Sequence, residues 1–360
     1  MEKKKVVVGM SGGVDSSVAA WLLKEAGYEV IGVTMQIWQD EEEAAAEENG
    51  GCCGLSAVED ARRVAWTLGI PYYVMNFKKE FKASVIDYFT AEYLAGRTPN
   101  PCIACNRYVK WESLLAKSLG LGADYIATGH YAQVEKLANG RYTLRQSKTL
   151  TKDQTYALYN LTQEQLSRTL MPVGAYTKEE IRSIAAGLSL PVASKPDSQE
   201  ICFIPDHDYA SFIRDYTGQR DVPGNFVDTK GNILGTHPGM THFTVGQRKG
   251  LGITFGKPVF VVEIRPETNE VVLGDNSEVF SDALYAENIN YMGYPELEGR
   301  RLTGKIRHSH RGAPCHVEMV GSDRMKVVFE EPVRAVTPGQ AVVLYDGDVV
   351  AGGAVITGRG

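Results

Sequence analysis

The sequence lacks any long apolar run. None approaches the roughly 20 residues that a helix needs to cross a bilayer. Residues 1–5 lead into a strand pattern and contain no apolar core of a signal peptide. We therefore expect a cytoplasmic protein with no membrane partner. Cysteine is also scarce, with 6 in 360 residues. That is too few for a disulfide scaffold, so in a reducing compartment these cysteines indicate chemistry or metal binding.

Excess positive charge is missing as well. The formal net charge is −6, which is weak evidence against a nucleic-acid partner, because phosphate binding needs positive charge at the contact surface. One acidic run occupies 40–48, however, while basic residues cluster at 248–249 and 305–311. Local positive patches therefore remain. The length of 360 residues predicts two or three domains, and the 43% hydrophobic content is ordinary for a globular protein.

The chain has no Walker loop and no Gly-x-Gly-x-x-Gly motif, yet it has a glycine-serine turn in the same context. Residues 9–17 read Gly-Met-Ser-Gly-Gly-Val-Asp-Ser-Ser, after a strand pattern at 5–8 and before a helical pattern at 16–26. No lysine follows the glycines. A strand, turn and helix in this order point free N–H groups at the turn, where an anion is favoured. We expect Gly12 and Gly13 to let the backbone approach a phosphate.

The motif Ser-Gly-Gly-x-Asp-Ser-Ser resembles the pyrophosphate loop of ATP pyrophosphatases. Those enzymes cut ATP between its α and β phosphates and adenylate an oxygen of the substrate. The hydroxyls of Ser11, Ser16 and Ser17 are further donors for the phosphates. Asp15 either caps the following helix or acts near Mg²⁺, and in a triphosphate loop we favour the second role.

Hydrophobic patterning predicts an α/β domain followed by two smaller domains. Over 1–205 strands and helices alternate, which predicts a doubly wound parallel sheet of the ATP pyrophosphatase (PP-loop) type. Over 206–280 the chain is glycine-rich with short β-like runs and predicts a small central α+β domain. Over 281–360 short alternating strands predict a C-terminal β-barrel.

The expected elements of the first domain are strands at 28–38, 71–76 and 124–129 and helices at 57–68, 81–95 and 108–119. The expected barrel strands lie at 302–307, 316–319, 325–329, 341–345 and 349–356. Ligands of parallel sheets bind at the carboxyl ends of strands. Met35 lies on the strand at 28–38 and Gly129 lies where the strand at 124–129 ends, so we expect both beside the glycine-serine loop.

Three cysteines lie in contexts that favour a reactive thiolate. Cys102 and Cys105 are in a proline-bounded loop, 99–106, that leads into a helix, and a helix start lowers a thiol pKa. Cys202 follows Lys195 in the stretch 194–203, and the lysine charge favours its thiolate. A pyrophosphatase loop in the same chain as cysteines in these contexts suggests sulfur transfer. ATP would activate a carbonyl oxygen, and a persulfide would replace that oxygen.

The other three cysteines are not expected to take part in catalysis. Cys52 and Cys53 are adjacent, and successive side chains diverge, so we expect a loop near the site with no catalytic role. Cys315 lies in a strand pattern and is expected to pack in a core. Two further motifs have two interpretations each. His130 is either a structural histidine or a ligand-facing one, and its place after Gly129 at the carboxyl edge of the sheet favours the second. The loop 246–250 is equally a surface turn or a contact for a phosphate backbone.

Taken together, these motifs resemble the bacterial tRNA-specific 2-thiouridylases, the MnmA/TrmU family. The matching blocks occur in family order over nearly the whole chain, at 9–17, 96–106, 128–131, 152–156, 194–203, 243–253 and 335–345. The resemblance implies a three-domain enzyme that thiolates C2 of wobble uridine 34 in certain tRNAs, consuming ATP with Mg²⁺ and releasing AMP and pyrophosphate. It also implies two partners, tRNA and a protein that donates persulfide sulfur.

The resemblance assigns roles to particular residues. It implies Cys105 as the nucleophile and Cys202 as the persulfide carrier, with a disulfide between them during turnover. The implied ATP-binding residues are Gly9, Met10, Ser11, Gly12, Gly13, Val14, Asp15, Ser16, Met35 and Gly129. The implied target-base loop is Asn100, Pro101 and Cys102. The implied tRNA contacts are His130, Lys152, Asp153, Gln154, Arg307, His308 and Gln340.

The chain departs from the family pattern at Cys102, where the family has an aspartate proposed as a general acid/base. Either the Cys102 thiol takes this role, which needs a pKa near the operating pH, or the role lies elsewhere. A third hypothesis is that Cys102, Cys105 and Cys202 hold a [4Fe–4S] cluster with one iron open to bind sulfide. We favour the persulfide route, and no metal ligand set is certain.

Two rival functions are weighed against this interpretation. The first is another ATP pyrophosphatase, such as an amidotransferase-linked synthetase or argininosuccinate synthase, which needs no paired cysteines. The second is a catalytically silent RNA-binding protein.

Overall fold

The structure is a computed structural model that describes residues 3–37, 55–196, 201–204, 206, 208–253 and 256–360. The predictions for Cys52, Cys53 and the acidic run 40–48 lie outside the described residues. The chain divides into two compact units. The first contains Met1–Ile86, Cys102–Pro205 and Asp348–Val350, and the second contains Asp87–Pro101, Asp206–Gly347 and Ala351–Gly360.

Strands and helices alternate over the N-terminal half. In chain order they are β1 (Lys5–Gly9), α1 (Val14–Glu25), β2 (Glu29–Gln36), α2 (Leu55–Leu68), β3 (Tyr72–Asn76), α3 (Lys78–Phe81), α4 (Asp87–Leu94), α5 (Pro101–Ala104), α6 (Leu115–Gly120), β4 (Tyr125–Thr128), β5 (Ala132–Lys136), β6 (Tyr142–Gln146), α7 (Gln163–Ser167), β7 (Thr169–Leu170) and α8 (Lys178–Gly187). π-Helical turns occupy Lys82–Ile86 and Cys105–Leu114, and 3₁₀ turns occupy Leu150–Lys152, Thr155–Leu158 and Pro172–Ala175.

The C-terminal part is dominated by strands. In chain order its elements are α9 (Tyr209–Thr217), β8 (Gly224–Asp228), β9 (Ile233–His237), β10 (Phe260–Arg265), β11 (Glu270–Gly274), β12 (Phe280–Tyr291), β13 (Arg301–Lys305), β14 (Ala313–Met319), β15 (Arg324–Arg334), β16 (Ala341–Asp346) and β17 (Val349–Arg359). 3₁₀ turns occupy Met240–His242 and Asn276–Val279. No helix in the described ranges is long and apolar enough to cross a membrane.

The first unit contains the predicted parallel sheet, with strand order β3-β2-β1-β4-β7. The valines of β1 are almost fully buried, because α1 and the neighbouring helices cover both faces of this central strand. Gly9 pairs in register with Val33 of β2 and with Thr128 of β4. The carboxyl ends of the three strands therefore meet at the turn that follows β1, which confirms the sheet on which the site prediction rests.

Two helical segments differ from the sequence prediction. The helix expected over 81–95 is divided into α3, a π-helical turn and α4. The helix expected at 108–119 begins earlier, at Pro101, and runs through the π-helical segment to the end of α6. Proline suits a first helical position because its fixed φ matches the helix and its missing N–H is not needed there. Cys102 is therefore in the first turn, while Cys105 lies one turn inside the helix and not at its start.

The segment 87–101 clusters with the second unit, although the sequence pattern assigns it to the first domain. Aromatic side chains account for this. The Phe89 ring on α4 lies 6.1 Å from the Tyr209 ring and 6.4 Å from the Phe212 ring, both on α9. Further along, the Thr98 N–H donates to the Pro338 carbonyl at 2.9 Å. These contacts hold the chain that leads to Asn100 among residues of the second unit.

The second unit contains two sheets. The smaller sheet has strand order β10-β11-β8-β9 and packs around Phe226 and Phe243. The larger one forms the predicted barrel, in which β12, β15, β14, β13, β16 and β17 are neighbours in that order and β12 also pairs with β17. This last pairing closes the barrel and satisfies strand edges that would otherwise be open. Strand β12 is absent from the sequence prediction because polar residues interrupt its apolar alternation.

Candidate functional site

The loop between β1 and α1 is braced by its own serines. The Ser16 hydroxyl accepts a hydrogen bond from the Ser11 N–H at 3.2 Å and donates to the Gly13 carbonyl at 3.2 Å. The Ser17 hydroxyl donates to the same carbonyl at 2.7 Å. Ser11 itself is exposed, and the helix cap is Gly13, whose missing side chain leaves the first N–H groups of α1 without a side-chain acceptor. The loop therefore combines a fixed shape with open donors for an anion.

The glycines of this loop have different structural reasons. Gly12 has φ of +69°, and a Cβ there would lie 2.4 Å from the Ala57 carbonyl oxygen of α2. A Cβ on Gly13 would meet only the Ser11 hydroxyl, at 3.6 Å. Gly129 is as confined as Gly12, because its Cβ would lie 2.5 Å from the Ser16 nitrogen. Gly12 and Gly129 thus allow neighbouring elements to approach the loop, and Gly13 leaves open space beside the α1 N-terminus.

Asp15 has partners that the sequence did not indicate. Its carboxylate accepts two hydrogen bonds from the Lys178 ammonium, at 2.7 and 2.8 Å, and one from the Tyr131 hydroxyl at 2.7 Å. The Lys178 side chain is only 8% exposed and the Asp15 side chain is 28% exposed, so the cation of the pair is shielded from water and the carboxylate is partly buried. Neither expected role, helix cap or Mg²⁺ ligand, includes this ion pair. Lys178 was missed because it lies 163 residues further along the chain.

A second lysine reaches the loop from the same part of the chain. The Lys195 ammonium donates to the Gly12 carbonyl at 3.2 Å and to the Asp60 carboxylate at 2.8 Å. The sequence interpretation directed this charge at the Cys202 thiol, whereas the structure directs it at the glycine-serine loop. The loop that carries no lysine of its own is therefore contacted by two lysines from distant positions.

The cysteines differ in exposure. Cys102 and Cys202 are exposed, and Cys105 is partly exposed. Cys315 is buried in the barrel core, and burial raises the pKa of its thiol to about 12, which confirms its packing role. Within the described part of the chain, no three or more His, Cys, Asp or Glu residues are grouped so that they could hold a metal ion. Cys102, Cys105 and Cys202 are thus not arranged as a cluster ligand set.

His130 is a neutral group in this environment. Its Nδ1 lies 2.7 Å from the Thr128 hydroxyl and its Nε2 lies 3.5 Å from the Lys110 ammonium. Burial and the Lys110 charge hold the pKa of His130 well below its usual 6.5. Because an ammonium can only donate, Nε2 accepts, and the ring proton is on Nδ1 facing Thr128. A tRNA contact at His130 would be a hydrogen bond and not an ion pair.

Of the three expected tRNA contacts at 152–154, one side chain is exposed and two accept hydrogen bonds from other residues of the chain. Lys152 is exposed. The buried Asp153 carboxylate accepts from the Ser147 N–H at 3.0 Å and the Thr155 hydroxyl at 2.5 Å. The Gln154 side-chain oxygen accepts from the Tyr131 N–H at 2.8 Å. Asp153 thus ties Ser147 to Thr155, and Gln154 holds the backbone of Tyr131, whose hydroxyl donates to Asp15.

In the second unit the expected contacts are similarly divided. His308 is exposed, while the Arg307 guanidinium donates to the Arg334 carbonyl at 2.9 Å. The Gln340 amide donates to the Thr98 carbonyl at 2.7 Å and so braces the segment just before Asn100. Asn100 is partly exposed and Pro101 is buried.

Similar proteins cover the whole chain. Residues 4–206 match the tRNA methyl transferase HUP domain, 210–275 the tRNA methyl transferase PRC-barrel domain, and 281–356 the aminomethyltransferase beta-barrel domain. A tRNA-specific 2-thiouridylase of Lachnoclostridium phytofermentans is 70% identical over 354 residues, covering 98% of this chain and 99% of that protein. The chain belongs to the tRNA-specific 2-thiouridylase family.

Other family members are nearly as similar. The 2-thiouridylase of Acetivibrio thermocellus is 60% identical and that of Clostridioides difficile is 57% identical, and each alignment covers at least 98% of both chains. A 4-thiouridine synthetase solved with RNA and ATP aligns with a TM-score of 0.33 and 18% identity, covering 57% of this chain and 46% of that one. The 2-thiouridylase relatives confirm the resemblance found in the sequence motifs and extend it over nearly the whole chain.

Proposed function

We propose that this 2-thiouridylase family member is an ATP-dependent tRNA-uridine 2-sulfurtransferase acting on C2 of wobble uridine 34. The observation that carries the proposal is the full-length identity of 70% to a protein named a tRNA-specific 2-thiouridylase. The braced loop at the carboxyl end of β1, with its open α1 donors, supports ATP as the activating substrate. A wobble base lies in a single-stranded loop, where specific RNA recognition is usual, and it must leave its stack to react.

The first half of the reaction activates the base. ATP binds at Gly9–Ser16, Met35 and Gly129, with its phosphates at the glycine-serine loop. Mg²⁺ bound with the phosphates would lower the charge repulsion around the α-phosphate. The uridine O2 attacks the α-phosphorus, and pyrophosphate leaves. Within the chain, Asp15 holds Lys178 and so fixes the start of α1, where the N–H donors face the phosphates.

The second half replaces the activated oxygen by sulfur. A protein partner donates a persulfide sulfur to Cys202, and the terminal sulfur attacks C2 while AMP leaves with the former O2. In one route Cys105 then attacks the Cys202 sulfur, which releases the thiolated base and forms a Cys105–Cys202 disulfide. In the other route Cys105 attacks the persulfide first, and the released hydrosulfide attacks C2. Exposure of Cys202 suits transfer from a separate protein.

The test is analysis of tRNA nucleosides by mass spectrometry after incubation with the protein, ATP, Mg²⁺ and a persulfide source. We expect 2-thiouridine only when all components are present. Pyrophosphate released with another acceptor, and no thiolated base, would indicate a different ATP pyrophosphatase. Absence of tRNA-dependent pyrophosphate release would indicate a silent RNA-binding protein.

The same proposal includes a cytoplasmic location and three domains, at 1–205, 206–280 and 281–360.

Cysteine variants test the persulfide route. We expect Cys105→Ser and Cys202→Ser each to abolish thiolation, because each removes a covalent step. Cys102→Asp should retain activity, since it introduces the carboxylate that the family pattern has in the Asn-Pro-Asp loop. Cys315→Ala is the matched control, because that thiol is buried in the barrel.

The alternative is a [4Fe–4S] cluster on the three central cysteines. The described residues form no such ligand group, so this alternative has no support from the geometry. It is tested by anaerobic purification followed by iron and sulfide quantitation. Stoichiometric iron whose removal abolishes thiolation would overturn the persulfide route and leave the thiouridylase proposal in place.

A further inference from the structure

The two lysines that reach the glycine-serine loop differ in their exposure to solvent. The Lys178 ammonium is 8% exposed and makes two short bonds to the Asp15 carboxylate. The Lys195 side chain is 31% exposed, and its carboxylate partner Asp60 is 25% exposed. Its second contact is a neutral carbonyl, that of Gly12, at 3.2 Å. The Lys195 ammonium is therefore close to the loop, and its ion pair with Asp60 is more exposed to solvent than the Lys178 ammonium is.

The backbone that carries Lys195 is fixed to α8. The Arg182 guanidinium donates to the Ala193 carbonyl and to the Lys195 carbonyl, both at 3.3 Å. The Lys195 N–H also donates to the Val192 carbonyl at 2.9 Å. The side chain therefore reaches the loop from an anchored position, just before the part of the chain that carries Cys202.

We propose that Lys195 is a positioning residue that links ATP binding to the cysteine that carries sulfur. When ATP binds, the Lys195 ammonium exchanges the Asp60 carboxylate for a phosphate oxygen at the loop. A phosphate chain concentrates more negative charge than one partly exposed carboxylate and accepts strong charge-assisted hydrogen bonds. Because Cys202 lies only seven residues after Lys195 in the chain, we expect this exchange to alter the reactivity of the Cys202 thiol when ATP is present. The inference rests on the proposed use of ATP by this loop.

The first experiment measures ATP binding. Equilibrium dialysis with Mg²⁺-ATP would compare the wild type with Lys195→Met, which retains the length of the side chain without its charge. We expect the dissociation constant to rise by roughly ten- to a hundredfold, the usual value of a charge-assisted bond. Lys195→Arg should restore part of this affinity. Asp60→Asn should not weaken binding, because it removes only the competing partner.

The matched control for charge removal is Lys148→Met. Lys148 is exposed and pairs with Glu180 of α8 at 2.9 Å, so it is a lysine of the same region with no contact to the loop in the described residues. We expect its affinity for ATP to equal that of the wild type. An equal loss in Lys148→Met and Lys195→Met would show a general charge effect and overturn the assignment.

The second experiment measures the coupling to Cys202. Protein reduced beforehand would be alkylated with iodoacetamide with and without saturating Mg²⁺ and a non-hydrolysable ATP analogue, and the rate at Cys202 followed by peptide mass spectrometry. The buried Cys315 serves as the internal reference. We expect the nucleotide to change the wild-type rate severalfold and to leave the Lys195→Met rate unchanged even at saturation.

The outcomes separate the two proposals. A wild type that binds no ATP would contradict the proposed function. A wild type that binds ATP and thiolates tRNA, with a Lys195→Met variant that keeps the nucleotide effect on Cys202, would overturn the coupling alone. Partial rescue by Lys195→Arg excludes misfolding as the cause of a loss.

Discussion

Single residues at this site depend on partners that are distant in sequence. The carboxylate of Asp15 is next to the glycines in the chain, yet the group that balances its charge comes from α8. The nature of the loop was predictable because its residues are consecutive and each turn or cap has a local cause. The roles of Lys178 and Lys195 were not, because a lysine in a helix start or a loop has no local feature that indicates its ion-pair partner.

The Asp15–Lys178 pair leads to a prediction for stability and activity. Lys178→Met should lower the free energy of unfolding of the first domain by about 1–3 kcal/mol, since it leaves a partly buried carboxylate without its cation. Adding Asp15→Asn should recover most of this stability, because the uncompensated charge is gone. Urea unfolding followed by tryptophan fluorescence measures both changes. Asp15→Ala alone should abolish tRNA-dependent pyrophosphate release. Equal stability of the single and double variants would show that the pair does not hold the loop.

His130 leads to a prediction about pH. Its pKa is lowered in the folded state by burial and by Lys110, so between the ordinary pKa of about 6.5 and the folded value the unfolded chain binds more protons. Stability is therefore lost as the pH falls below about 6.5. His130→Asn should lose less stability than the wild type between pH 7.5 and 5.5 in urea unfolding. His308→Asn, at an exposed position, is the control. A measured His130 pKa at or above 6.5, by NMR titration, would contradict the neutral assignment.

At the scale of elements, the glycine-serine loop packs closely against α2, in addition to its proposed role in binding phosphate. Gly12→Ala should disturb the contact with α2, because its Cβ would lie 2.4 Å from the Ala57 carbonyl oxygen and its φ is +69°. Gly13→Ala is the matched change one residue away, where the nearest atom is 3.6 Å from the added carbon. We expect lower thermal stability in Gly12→Ala and near-normal stability but weaker ATP binding in Gly13→Ala. Differential scanning fluorimetry and equilibrium dialysis measure the two effects, and equal melting temperatures would contradict the packing argument.

Hydrophobic patterning predicts some of the strands and not others. Strand β1 has a run of buried valines and is predictable, since a central parallel strand is apolar on both faces. Strand β12 is not, because it carries polar side chains and exists by pairing with both β15 and β17. The helix that contains Cys102 and Cys105 begins at Pro101, and the proline is a local signal for that start. Of the two cysteines that the sequence places beside a helix start, only Cys102 lies in the first turn.

For the whole molecule, composition and local structure point in different directions about RNA. The net charge of −6 does not suggest a nucleic-acid partner, and the 70% identical relative is named for its action on tRNA. The difference has a physical basis, because binding depends on the charges that face the phosphates and not on the sum over the chain. The proposed tRNA contact is therefore best tested by substituting exposed basic residues in loops.

The loop at Arg248 and Lys249 is built to expose its basic pair. The Gln247 side chain closes the turn by accepting from the Thr244 N–H at 2.9 Å and donating to the Lys249 carbonyl at 3.1 Å, and both basic residues remain exposed. Replacing both by Gln should weaken tRNA binding and reduce the slope of log K against log salt by about 1.5, because roughly 0.7–0.9 of a counterion is released for each phosphate contact. Filter binding at several salt concentrations measures this slope. Arg62 and Arg63 on α2 form another exposed adjacent pair, and replacing them by Gln is the control for net charge. If the two double variants change the slope equally, the Arg248–Lys249 loop is not a specific tRNA contact, because only total charge would then govern the binding.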